Sequence, residues 1–251
     1  MDNAQTLESK DQASGLRNLF GQHNVPIHVL HCPARPALSL PLAQSLSNAL
    51  AEQGRTVMWV DEIDLTERES WPLACKVKFD LSKSLQGHVA LDKSVTPLSP
   101  MLWYGLSLHT ARIAQPTATL AQRLEGSGVR FDSMIVSGRT EHPESLRHYG
   151  STLHYIVITE CDGPALQKTM NWMQRAQTQC PAASWSVILI GSKTRLTSGI
   201  KWIEQTASAH LNQPLKLLGS AEPKLMSASL ADAWTTMPDL TDALLHHLLI
   251  S

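Results

Sequence analysis

The chain has 251 residues, 43% of them hydrophobic, and its 21 Lys and Arg against 22 Asp and Glu give a formal net charge of −1. A sizeable globular core is affordable at that composition, but the basic surplus that nucleic-acid wrapping draws on is missing, so no nucleic-acid partner is expected. The cysteines at 32, 75, 161 and 180 include no Cys-x-x-Cys pair and no apolar run approaches ~18 residues, so the expectation is a cytoplasmic protein without a zinc knuckle, disulfide framework, secretory leader or membrane span.

In chain order, the first feature is a short amphipathic helix. Ser9 and Gln12 have capping-box spacing, Ala13, Leu16 and Phe20 fall on one helical face, and Gly21 supplies a stop. A free helix of about ten residues is marginal in water, so its apolar side needs a surface to grip. A linker with Asn24 and Pro26 leads to a buried first strand, Ile27 to Cys32. Three prolines, 33, 36 and 41, precede a helix with Leu42, Leu46, Ala49 and Leu50 on one face and Gly54 as its stop, and a second strand runs from Thr56 to Asp61. Strand, helix, strand with short connections predicts a parallel crossover.

Leu65 to Ser99 carries more charge and reads as short helices and loops. Met101 to Gly105 is the next strand, followed by a helix from Leu106 to Leu124 interrupted near Pro116. Phe131 to Ser137, His154 to Glu160, Trp185 to Gly191 and Lys216 to Gly219 are strand candidates. Helical stretches around Glu144 to Tyr149, Ala165 to Gln179 and Ile200 to Leu211 separate them. This alternation predicts an α/β fold: a doubly wound, mostly parallel sheet with helices on both faces.

The leading Asp11-Gln12-Ala13-Ser14-Gly15-Leu16-Arg17 resembles the activator motif Asp-Gln-Ala-x-x-Leu-Arg of the FlhG (FleN) regulators of flagellar number, members of the MinD/ParA superfamily, and matches it at all five specified positions. The resemblance implies that this helix docks on FlhF, a signal-recognition-particle-type GTPase, and stimulates hydrolysis. Gln12 would orient water or complete a hydrogen-bond network, since a carboxamide both donates and accepts. Asp11 would help the electrostatics of the helix N-terminus or bind the partner, Arg17 would pair with an acidic group or approach phosphate, with docking favoured, and Ala13 and Leu16 would be buried contacts. It also implies two parts: residues 1–24 as activating helix and linker, and 25–251 as a MinD/ParA-like domain.

The rest of the chain resembles that domain with its ATP site worn away. Ala49 to Gly54 and the strand ending Val60-Asp61 look like the segment that follows the family's phosphate loop. Counting back without gaps places Leu38-Ser39-Leu40 where the family has Gly-Lys-Thr. No glycine lies between Gly21 and Gly54 and no lysine between Lys10 and Lys76, while Pro33, Pro36 and Pro41 remove N–H donors. Arg35 could supply charge but not the close backbone approach that glycine permits. Phe131 to Val136 looks like the fourth-strand run, whose aspartate would organise magnesium; Ser137 stands there instead. Asp61 persists and reads as a loop cap or strand-end hydrogen-bonder. Phe79 to Gly87, Ala90 to Asp92, Leu218-Gly219, Glu222-Pro223, Ser227 to Ala233 and Pro238 continue the likeness in the family's order.

Other chemistries find little footing. The eleven histidines form no His-x-x-x-His beside a carboxylate, so no metal is assigned, and no Gly-x-Ser-x-Gly elbow marks a serine hydrolase. Trp59, Trp103 and Trp185 read as core residues. Leu240 to Ile250 places Leu240, Leu244, His247 and Leu248 on one face, but no Lys or Arg follows Lys224, so packing on the sheet is favoured and membrane contact is expected to be weak or absent. The expectation is a non-catalytic pseudo-ATPase, without ATP or magnesium, that activates FlhF and is recruited to the pole by its partner. Alternatives are an active ATPase with an unconventional loop, or an interaction protein restraining a flagellar transcription activator or binding a basal-body protein.

Overall fold

The computed structural model describes residues 25–63, 77–108, 118–126, 130–138, 143–150, 152–211, 215–221, 244–246 and 248. Strands β1 (Ile27–His31), β2 (Val57–Asp61) and β5 (Ser133–Gly138) are buried at every residue. Strands β3 (Val95–Ser99), β4 (Leu102–Leu106), β6 (Leu153–Glu160), β7 (Ser184–Ile190) and β8 (Leu215–Ala221) complete a sheet of order β3-β4-β2-β5-β1-β6-β7-β8. Every pairing is parallel except β3 with β4. Unbroken apolar runs in the middle strands follow from this: crossover segments cover both faces, so neither side of the strand meets water.

Helix α1 (Ser39–Glu52) lies on one face, where Leu42, Leu46 and Leu50 pack on Leu30, Trp59 and Ile135; Leu244 and Leu245 are buried in the same cluster. The other face is covered by α2 (Leu81–Leu85), α3 (Leu120–Gly126), α4 (Gly163–Gln179) and α5 (Lys193–His210). Met170, Trp172, Met173 and Ala176 of α4 form the central inward stripe. Helix α1 ends where expected: Gly54 takes φ +79° with open space around it, a left-handed turn suited to a residue without a Cβ.

Three expected elements need correction. Val95–Ser99 is a strand rather than loop; Pro97 hid it, and proline is tolerated because this is an edge strand whose register shifts there. The helix expected from Leu106 starts only at Leu120 among the described residues, since Leu106 ends β4 and Ser107 N–H donates to Asp61 O. The stretch around Glu144 to Tyr149 is a 3-10 turn, Pro143–His148, not an α-helix. The activator motif, the Pro116 break and residues 222–243 lie outside the described residues.

Candidate functional site

The chain leaves β1 toward β2 on one side and leaves β6 toward β7 on the other, so a crevice opens outside the C-terminal ends of β1 and β6. In sheets wound this way ligands bind at that point. Its floor here is Cys32 to Leu38. Pro36–Leu38 forms a 3-10 turn, and α1 follows directly with no side-chain cap.

Several donors of this connection turn onto the chain itself. The Arg35 and Ala34 N–H groups donate toward Cys32 Sγ, Leu38 N–H donates to Arg35 O, and Ser39 Oγ–H donates to Pro36 O at 2.7 Å. Burial raises the Cys32 thiol to about 11 in spite of those two bonds, so it stays protonated at neutral pH. Leu38, Ser39 and Leu40 are at most 2% exposed. A helix N-terminus attracts an anion through reachable N–H groups, and here the first residues of the helix are buried.

Across the crevice, Arg35 Nη2 donates to Glu160 Oε1 at the end of β6. The arginine side chain is about half exposed (51%), so the pair contributes little to stability; its consequence is positional, because it ties the connection to β6. Below it, His31 Nδ1 lies 2.8 Å from Gly138 O. A carbonyl only accepts, so Nδ1 carries the proton. The ring sits 4.4 Å from Trp172, and burial lowers its pKa to about 4, opposed by the Gly138 bond and reinforced by Lys168 and Arg175.

Asp61 and Ser137, singled out in the sequence, meet at the ends of β2 and β5. Asp61 is fully buried: Oδ1 accepts from Ile63 N–H at 2.9 Å and lies 3.3 Å from Ser137 Oγ, and Oδ2 accepts from Tyr104 O–H at 2.8 Å. Ser137 Oγ in turn accepts from Trp59 Nε1–H at 3.2 Å. Beside them Tyr149 O–H donates to Glu62 at 2.5 Å and lies 3.0 Å from Ser107 Oγ. These bonds tie the ends of β2, β4 and β5 together. Among the described residues, no three His, Cys, Asp or Glu side chains gather as metal ligands.

Sequence reading missed Glu160, Cys32, Tyr104, Glu62 and Tyr149. Glu160 closes a predicted strand, but only the strand order sets it beside Arg35. Asp11, Gln12, Ala13, Leu16 and Arg17 lie outside the described residues.

With this geometry in view, comparison with solved structures is informative about the fold. MinD cell division protein from Aquifex aeolicus superposes with a TM-score of 0.59 at 13% identity, covering 88% of this chain and 98% of that one. Apo McdA from Cyanothece gives 0.60 at 15% identity, covering 87% and 96%. A plasmid partition protein from Borrelia burgdorferi gives 0.56 at 12% identity, covering 89% and 99%. The chain has the MinD/ParA-type α/β fold. No family model matches the sequence, and no curated protein matches it. Among the described residues, no helix is long and apolar enough to cross a membrane.

Proposed function

We propose that the protein is a non-catalytic, FlhG-like regulator of flagellar number or placement. The reading is that it stimulates an FlhF-like GTPase in trans through the helix bearing Asp11, Gln12, Ala13, Leu16 and Arg17. The observation that carries this reading is the β1–α1 connection, where Leu38 N–H and Ser39 O–H turn onto the carbonyls of Arg35 and Pro36 and the helix start is buried at Leu38, Ser39 and Leu40. That donor set does not fit a triphosphate and offers no lysine, so no step is routed through ATP or magnesium. A MinD/ParA-type body that holds no nucleotide keeps a use as a carrier, and the segment in front of it matches a GTPase activator at every specified position.

A residue supplied in trans to a P-loop GTPase acts by positioning water and completing the charge-stabilising network, which is worth several kcal/mol in the transition state. Gln12 fits that task, with Arg17 and Asp11 fixing the dock. The test is GTP turnover by an FlhF-like protein with and without the full chain. Stimulation is expected with the native chain and with a peptide spanning residues 1–22, and loss of it with Gln12→Ala. Equal turnover with and without the chain overturns the reading.

A further inference from the structure

At the end of the sheet opposite the crevice, outside the N-terminal ends of β6 and β7, lies a cavity of about 370 Å³. Its walls are mostly apolar, built from Gly150, Leu153, Cys180, Pro181 and Ala182, and the exposed Arg147 guanidinium stands over it, donating to Gln179 O. Nothing in the β1–α1 crevice reaches this far. We propose that this cavity is the seat of the chain's own leading segment, with Leu16 and Phe20 as the apolar side chains that enter it. It thereby withholds the activator motif until a partner competes for it.

The place where the described chain begins supports this occupant. Pro26 O accepts from Met134 N–H, Ile27 is the register partner of the cavity residue Leu153, and a Cβ on Gly150 would come within 2.6 Å of Ile27 Cδ1. The described chain therefore begins at the cavity wall. Phe20 stands five residues before Val25, a reach of about 17 Å when extended, and Leu16 lies one helical turn beyond it. The chain after β8 is a poorer candidate. It leaves from the C-terminal end of its strand, and Leu244 and Leu245 are buried on the α1 face, whereas the cavity is roofed from the other side by α4.

A tether this short gives the segment an effective concentration on the order of millimolar at the cavity, so even a weak apolar contact is occupied much of the time. A marginal helix gains its packing surface, and the GTPase must displace that surface to bind. This refines the functional reading above and rests on it only for the consequence; the dock itself is tested without any GTPase.

Hydrogen exchange of peptides from residues 10–22 in the full chain is the direct measurement. Ala182→Trp fills the mouth of the cavity from an exposed position, and Arg147→Glu removes the guanidinium at its rim along with its bond to Gln179 O, so one variant covers for the other if either melts early. Exchange across 10–22 should accelerate about tenfold in Ala182→Trp, and the concentration for half-maximal GTPase stimulation should fall by the same factor, because both read the undocked fraction. Unchanged exchange in both variants overturns the dock. Protection that rises with protein concentration assigns the cavity to the segment of a second copy and overturns the intramolecular form. If exchange responds but neither the chain nor peptide 1–22 stimulates GTP turnover, the dock stands and the functional reading falls. Stimulation without any response in exchange is the reverse.

Discussion

His31 offers a quantitative test of how the crevice is built. Its ring is 2% exposed, Nδ1–H is bound to Gly138 O, and burial holds its pKa near 4 against an ordinary 6.5. The folded state therefore takes up this proton less readily than the unfolded chain. The stabilising contribution is complete above pH 6.5 and is lost as pH falls through the window from 6.5 to 4. A shift of this size corresponds to about 3 kcal/mol at the acid limit and about 2 kcal/mol already at pH 5, a large part of a typical domain's stability. His31→Asn is the informative variant, since its Nδ2–H can replace the Gly138 bond while removing the titration. Urea unfolding followed by circular dichroism at pH 7.5 and pH 5 gives four free energies. The native chain should lose about 2 kcal/mol more than the variant between the two pH values, because other histidines and carboxylates cancel in the difference. If both chains lose the same amount, His31 is not held neutral by burial and the packing of Trp172 over the end of β1 has been misjudged.

Three further expectations follow from other places in the sheet. Ser137→Ala removes the hydroxyl that accepts from Trp59 Nε1–H and lies 3.3 Å from Asp61 Oδ1, and should cost about 1–3 kcal/mol by urea unfolding; a neutral result would mean that this hydroxyl contributes nothing to the strand ends. Gly105→Ala places a Cβ 2.6 Å from Leu81 Cδ1 and 2.8 Å from Met58 Cε, so those two buried side-chain ends must move aside, and a cost of about 1 kcal/mol is expected in the same assay. Titration with a fluorescent ATP analogue and magnesium should show no saturation up to ~1 mM, whereas a micromolar Kd would restore the reading of an active ATPase with an unconventional loop.

The sequence alone determined the α/β class, because periodic apolar runs of strand length alternate with amphipathic stretches of helix length and few residues between them force parallel crossovers. It also showed that the connection after β1 lacks glycine and lysine, which needs only the order of residues. Tertiary structure decided what replaced them. Arg35 and Glu160 are 125 positions apart and pair only because β1 and β6 are neighbours. Asp61, Tyr104 and Ser137 converge because β2 lies between β4 and β5, an order that crossovers of either direction could have altered. Local patterns record whether a residue faces a core, while the partner it meets there is set by strand order, which depends on the packing free energy of the whole sheet. For that reason Val95–Ser99 was missed: its side chains alternate weakly, Pro97 argues against a strand, and only the edge offered by β4 makes it one.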